Sequence, residues 1–302
     1  MKIAVIDLGT NTFNLIVAEY QSSQGFITLD NSRIAAKLGK GTINKNTLSP
    51  AAIERGRKAI KDHLRTVQQY QVNEILAFAT SAIRNASNGN EFTEIIKNEF
   101  GIEIQIISGN QEAELIYKGV QLTLGPMNRK FLLLDIGGGS NEFIIADKEK
   151  IYWKRSFESG IARLIDIFHP SDPITSDEIN HITEYLTKGL DELKEAVDIH
   201  KPEVLIGAAG SFDTFAQMIF QKEDLPNLNK LPIEKFQEIY NQLLKSTTEE
   251  RNNMKGIENW QIEFIVTAII LVQTTLEVTG INEIYQTAYS LKEGVMSTYI
   301  DK

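Results

Sequence analysis

The 302-residue chain contains no cysteine, which removes disulfides, thiolate nucleophiles and sulfur-ligated zinc from consideration. Histidine is almost as scarce. The four present, His63, His169, His181 and His200, show no metal-ligand spacing, so neither a His-only metal site nor a His-based triad is expected. Cations are outnumbered, with Lys+Arg 31 against Asp+Glu 40 and a formal net charge of −9. Binding to nucleic acid or to an anionic membrane relies on a dominantly basic surface, so neither partner is expected. That balance still leaves room for a local basic site that takes a polyanion. Long apolar runs are missing too. The longest, residues 264–272, is too short to span a bilayer. Asp7 interrupts the N-terminal apolar stretch where a signal peptide would need its core. These absences give the expectation of a soluble, cytoplasmic protein.

What is present is ordinary globular usage, hydrophobic 42% and charged 24%. A chain of this length buries roughly 75% of its extended surface, and at about 150 residues per domain two domains are expected. The β-branched run 3–6 ends in Asp7-Leu8-Gly9-Thr10-Asn11-Thr12, with further strands expected over 14–19 and 26–34. Ser49-Pro50 opens a helix expected to reach Tyr70. Strands over 74–79 and 102–107 and helices over 90–100 and 110–123 complete the first half, which Gly125-Pro126 closes. Then the pattern restarts. A strand over 129–134 leads into Asp135-Ile136-Gly137-Gly138-Gly139-Ser140, followed by strands over 142–146 and 151–157. Beyond lie expected helices over 161–168 and 176–199, a strand over 203–206 and a loop over 225–231. Helices over 232–244 and 260–279, a strand over 284–286 and a final helix over 291–300 end the chain.

The self-similarity outweighs any one of these elements. VIDLGTNTF (5–13) and LLDIGGGSNEF (133–143) share a scheme of apolar strand, Asp, apolar residue, Gly, small polar turn and second strand. Asp7 aligns with Asp135 and Gly9 with Gly137. Two such turns, each opening a β-β-β-α stretch, indicate a duplicated α/β domain, with the halves placed at 1–124 and 125–291.

Each turn offers short residues and backbone N–H groups directly after an apolar strand. Glycine allows close backbone approach to a ligand, and successive N–H groups form an anion-binding concavity. The hydroxyls of Thr10, Thr12 and Ser140 and the amide of Asn11 add neutral donors. A carboxylate beside each turn would repel a bare phosphate but suits Mg²⁺ bridging phosphate oxygens. Two facing loops of this kind imply a metal–phosphate ligand in a cleft between the halves. The plainer alternative is two structural hairpins with an acid at each bend. A third cluster, Gly207-Ala208-Ala209-Gly210-Ser211, sits between a strand and a helix whose N-terminus would suit a further phosphate; alone it is a generic turn.

The two turns resemble the phosphate-1 and phosphate-2 loops of the actin, heat-shock chaperone and sugar-kinase superfamily. Three further stretches resemble the exopolyphosphatase and guanosine-pentaphosphate phosphatase family within it. They are Ala79-Thr80-Ser81-Ala82-Ile83-Arg84, then Ile107-Ser108-Gly109-Asn110-Gln111-Glu112-Ala113 continuing through Leu115-Ile116-Tyr117-Lys118-Gly119-Val120, and Ser290-Leu291-Lys292-Glu293-Gly294. Together with the turns they occur in family order and cover nearly the whole chain.

The resemblance implies a fold of two actin-like (ribonuclease H-like) domains around a cleft, with a helix over about 292–302 packing back on the first. It implies Mg²⁺-dependent release of terminal orthophosphate from inorganic polyphosphate by water attack. Guanosine pentaphosphate is the alternative substrate; a kinase or a non-catalytic nucleotide-binding protein of the same fold stands further off, and a homodimer is a further expectation. By the same resemblance Glu112 is the base that activates water, Arg84 clamps phosphate, and Asp135, with its counterpart Asp7, holds the metal. Gly9, Thr10, Asn11, Thr12, Gly137, Gly138, Gly139, Ser140, Gly210 and Ser211 are the phosphate-binding candidates. Without the motif, Glu112 would read as a first-turn carboxylate serving a helix dipole.

The chain departs from the family pattern in three places. Gln111 stands where a second glutamate is usual, Gln261-Ile262-Glu263 where Arg-x-Asp is common, and Lys292 replaces an arginine. Lys58, Lys61 and Arg65 recur at i, i+3, i+7 on one helix face. With Arg33, Lys37, Lys40 and Lys45 around the Gly39–Gly41 loop, they would form a basic track toward Glu112, or simply a solvated face.

Overall fold

The computed structural model describes residues 1–21, 25–222 and 225–298. The first half runs β1 (Lys2–Leu8), β2 (Thr12–Gln21), β3 (Gly25–Ala35), α1 (Pro50–Tyr70), β4 (Glu74–Ala79), α2 (Ser81–Asn85), α3 (Gly89–Phe100), β5 (Ile104–Ile106) and α4 (Gly109–Gln121). The second runs β6 (Phe131–Ile136), β7 (Asn141–Ala146), β8 (Ile151–Phe157), α5 (Ile161–Phe168), α6 (Ser176–Gly189), α7 (Asp191–His200), β9 (Val204–Ala208) and α8 (Gly210–Phe220). It continues with β10 (Leu228–Leu231), α9 (Ile233–Lys245), α10 (Thr248–Asn252), α11 (Ile265–Thr279), β11 (Ile284–Thr287) and α12 (Leu291–Ser297).

Two sheets repeat one plan. Their orders are β3-β2-β1-β4-β5 and β8-β7-β6-β9-β11-β10. β1 pairs antiparallel with β2 and parallel with β4; β6 does the same with β7 and β9. Asp7 faces Asn14 across its ladder and Asp135 faces Glu142 across the other, so the two acids occupy matching places. The expected fold class, a duplicated α/β unit of the actin-like kind, is the one observed.

The central strands are apolar on both faces because helices cover both. From β1, Ala4, Ile6 and Leu8 pack with residues of α1 and α3, while Ile3 and Val5 pack with α4 and α12. Continuous apolar runs rather than alternation follow from this double coverage. α1 begins where sequence says it should. Pro50 occupies its first turn, the Ser49 hydroxyl accepts from the Ala52 N–H at 3.2 Å, and Ala52, Ala59, Ile60 and Val67 form its buried stripe. Another apolar cluster joins the sheets: Ile3 and Val5 of β1, Ala113 and Ile116 of α4, Leu133 and Ile144 of the second sheet, and Val295 and Met296 of α12. α12 thus packs on α4 and reaches the first sheet.

Several elements differ from expectation. The helix expected over 176–199 is two, α6 and α7, because Leu190 leaves helical geometry at φ −103° and ψ 14° just after Gly189. The expected loop over 225–231 holds edge strand β10, antiparallel to β11 and anchored by buried Leu231. The helix expected from 260 starts at Ile265; turns precede it, with Gln261 N–H bonded to Glu258 O and Phe264 N–H to Gln261 O, both at 2.8 Å. The final helix ends at Ser297, and residues 299–302 of the expected span lie outside the described residues. Among the described residues no helix is long and apolar enough to cross a membrane.

Candidate active site

The first loop closes on a glycine for a steric reason. The Gly9 N–H donates to Thr12 O at 3.0 Å, and a Cβ on Gly9 would stand 2.8 Å from that oxygen. Gly137 repeats the arrangement, since a Cβ there would overlap Ser140 O. The loops also abut each other: Cβ atoms on Gly138 and Gly139 would stand 2.7 Å from the Asn11 side-chain nitrogen and from Thr10 Oγ1. Between them lies a cavity of about 120 Å³. Gly9 to Thr12, Gly137 to Ser140, Gly210, Ser211, Asp7, Asp135 and Glu112 all line it, joined by Glu142, Arg33 and Lys292.

Glu112 is held by the start of α4. Ser108 caps that helix reciprocally with Gln111: the Ser108 hydroxyl accepts from the Gln111 N–H at 3.3 Å, and Gln111 Oε1 accepts from the Ser108 N–H at 2.9 Å. Gln111 is therefore occupied in the cap, and the next carboxylate turns into the cavity with 7% of the residue exposed. Arg84, from the one-turn helix α2, does not line the cavity but reaches Glu112 from behind. Its Nη1 donates to Glu112 Oε2 at 2.7 Å and to Ile107 O at 3.2 Å, and its Nη2 to Ser140 Oγ at 3.4 Å. Burial, followed by the nearby Glu142 carboxylate, raises the Glu112 carboxyl well above its usual range against the opposing pull of Arg84. Burial also pushes Glu142 up to about 7, although the Ser156 hydroxyl donates to it at 2.7 Å.

The two aspartates are half-buried in the cavity wall and short of positive charge. Asp7 accepts from Asn14 Nδ2 at 2.9 Å; Asn14 in turn accepts from Arg33 Nε at 2.9 Å, and the Arg33 guanidinium stacks 4.1 Å from the Trp260 ring centre. Asp135 accepts from the Ser290 hydroxyl. Burial pushes Asp7 up to about 6 and Asp135 up to about 8. Lys292, one of two cations on the cavity wall, is already paired with Glu293 at 2.8 Å.

Among the described residues no three His, Asp or Glu side chains are grouped to hold a metal by themselves. Mg²⁺ does not require such a cage. It usually keeps several waters and takes one or two carboxylates together with substrate phosphates. Two under-compensated aspartates beside two glycine loops are a donor set of that kind.

The third glycine cluster is strained where it meets the cavity. Ala209 sits at φ 47° and ψ −158°, a costly region for any residue with a Cβ. Among the described residues the buried Ser211 hydroxyl has no hydrogen-bond partner.

The profile of the Ppx/GppA phosphatase family matches residues 16–302. The chain belongs to that family. It is 38% identical to an exopolyphosphatase of Cytophaga hutchinsonii whose crystal structure superposes with a TM-score of 0.95, over 100% of this chain and 98% of that one. A Ppx/GppA family member from Aquifex aeolicus, 24% identical, has the same fold at a TM-score of 0.81, over 100% of this chain and 98% of that one. Exopolyphosphatase 1 of Mycobacterium leprae is 21% identical over 100% of this chain and 90% of its own. A bifunctional 3-dehydroquinate synthase/phosphatase of Fusobacterium nucleatum is 30% identical over 92% of this chain but only 43% of its own.

Within this Ppx/GppA chain, sequence reasoning missed Glu142 and the roles of Arg33 and Trp260. Glu142 had a usable signal, because alternation along a strand puts residues 140 and 142 on one side. Arg33 and Trp260 had none, being brought together from opposite halves. Of the residues of the expected basic track, Arg33 lines the cavity. Arg57 pairs with Glu54 and Glu99, Arg65 with Asp62, and Lys37 with Glu263. No residue of α1 lines the cavity, and Lys58 and Lys61 on that helix are exposed.

Proposed function

We propose that the protein is an Mg²⁺-dependent exopolyphosphatase that releases terminal orthophosphate from inorganic polyphosphate by water attack. The observation that carries this reading is Glu112, a buried carboxylate paired with Arg84 and aimed into a cavity walled by two glycine loops. Phosphoryl transfer asks for positioning, charge neutralisation and an oriented nucleophile, and each has a group here. The loop N–H groups, Thr10, Asn11 and Ser140 seat the terminal phosphoryl group. Arg84 meets the charge beside Glu112. Glu112 takes the proton of the attacking water as the new P–O bond forms, and the shortened chain leaves with the electrons of the broken anhydride bond. Asp7 and Asp135 would hold Mg²⁺, which when bound neutralises phosphate charge. The exopolyphosphatases among the relatives support the substrate class.

Guanosine pentaphosphate is the second reading, and one observation favours it. Beside the phosphate cavity, past Arg33 and Trp260, lies a second pocket of about 360 Å³ walled by Asp213, Gln217 and Gln286, room enough for a nucleoside. Phosphate release from polyphosphate and from guanosine pentaphosphate, measured side by side with Mg²⁺, tests both. Release from polyphosphate at the higher kcat/KM is expected. No release from polyphosphate overturns the first reading, and release from the nucleotide alone establishes the second.

A further inference from the structure

Glu158 lies outside the cavity, directly after β8, with 46% of its side chain exposed. Its surroundings are not those of a surface acid. Oε2 accepts from Asn85 Nδ2 at 2.7 Å, Arg163 Nη2 at 2.9 Å and Ser81 Oγ at 3.1 Å, and Oε1 lies 3.5 Å from Arg84 Nη2. Three of these donors, Ser81, Arg84 and Asn85, belong to α2 in the first half, whereas Glu158 and Arg163 belong to the second.

α2 is five residues long. One turn of helix cannot hold its own conformation against the entropy it gives up, so its place must be set from outside. Ser81 and Asn85, at i and i+4, present one face, and that face meets Glu158. Arg163 ties the arrangement to the second loop. It is buried, and donates through Nε to Gly139 O at 2.8 Å and through Nη1 to Ile43 O at 3.0 Å. The Arg84 turn, seated on the first core through Ala82 and Ile83, thus meets the second half through this carboxylate as well as through the direct contact of Arg84 with Ser140.

We propose that Glu158 is a positioning residue: by gripping Ser81 and Asn85 from the opposite half and leaning on Arg163, it sets Arg84 at its station between Glu112 and the Gly139 loop. The activity readout rests on the function proposed above; the structural readout does not. An exposed ion pair contributes little to stability, so the effect of Glu158 belongs in geometry. A misplacement of about 1 Å costs a reaction up to ~10²-fold.

Glu158→Ala is expected to lower kcat on polyphosphate by about 10- to 100-fold with KM changed less than about threefold. Glu158→Gln, whose amide oxygen still accepts from Ser81, Asn85 and Arg163, should restore kcat to within about fivefold of wild type. Hydrogen exchange of residues 81–86 should quicken at least about tenfold in Glu158→Ala while α11 stays unchanged. A kcat within about twofold of wild type, unchanged exchange at 81–86, or a Gln variant as slow as Ala overturns the proposal. If Glu158→Ala does not fold, Asn85→Ala carries the test, with faster exchange at 81–86 expected and unchanged exchange overturning it. If wild type releases no phosphate from polyphosphate, the function falls, and the exchange measurement still decides Glu158.

Discussion

Glu112 Oε2 and Arg84 Nη1 lie 2.7 Å apart at the buried end of the cleft, a carboxylate and a guanidinium brought together from segments 28 residues apart. The pair gives the proposed base a counter-charge that fixes its direction while burial keeps its proton affinity high. Glu112→Gln preserves shape and the contact with Arg84 but removes the base, so turnover should fall by about 10²–10⁴ with the fold intact. Activity within about threefold of wild type in a phosphate-release assay would take Glu112 out of the mechanism.

Glu112 and Glu142 titrate as neighbours, each raised by burial, and the negative charge of Glu142 adds to the rise at Glu112. A base must be ionised to act, so the acid limb of the kcat/KM profile should lie above the ordinary carboxylate range. Removing the neighbouring charge in Glu142→Gln should move that limb to lower pH. A limb that stays in place or moves upward contradicts the assignment.

Asp135 has a folded-state pKa of about 8 against an ordinary 3.8. A group raised in this way contributes stability that is fully present below about 3.8 and is lost as pH rises through about 8. Metal-free Asp135→Asn should therefore melt several degrees higher than wild type near pH 8.5 and hardly differ near pH 4. The same variant should need more Mg²⁺ for turnover, and chelation should abolish activity. Full turnover in excess EDTA, or a lower melting point at alkaline pH, would count against it.

α4 and α12 touch through two glycines. A Cβ on Gly294 would overlap Leu115 O, and one on Gly119 would overlap Ser290 O. The obstacles are backbone atoms, so relief requires the helices to part. Gly294→Ala should cost about 3–5 kcal/mol, read from denaturant midpoints. It should also disturb Ser290 and Lys292, which α12 presents to the cavity. A loss under about 1 kcal/mol would show that the contact is slack.

Lys58 and Lys61 are exposed on α1, away from the cavity. Their joint replacement by Ala should leave KM unchanged for long and short polyphosphates alike, at low and at high salt. A larger rise in KM for long chains would instead support the basic track.

The elements that sequence reading anticipated share one property: their cause is local. The Ser49-Pro50 start of α1, the apolar runs of β1 and β6 and the paired Gly9 and Gly137 turns are each written within a dozen residues. The misreadings had distant causes. β10 exists because β11 offers it an edge, and the strand pattern of 225–231 is too short to show that alone. Gln111 reads as a lost glutamate until its bond to the Ser108 N–H explains it. Arg33 over Trp260 and Glu158 against Ser81 and Asn85 join residues separated by much of the chain, and no periodicity announces such meetings.

The apolar cluster that unites β1 with α12 has a consequence for how the chain is born. A ribosome delivers Ile3 and Val5 long before Val295 and Met296, which follow only after β11 has emerged. The contacts of α12 with the first sheet therefore wait until the second half has emerged, although α4 already covers part of that face. Closing it needs contacts spanning nearly the full sequence, the kind that fold slowly and leave apolar surface open to chance encounters meanwhile. The first half cannot be finished before the second, although it is made first.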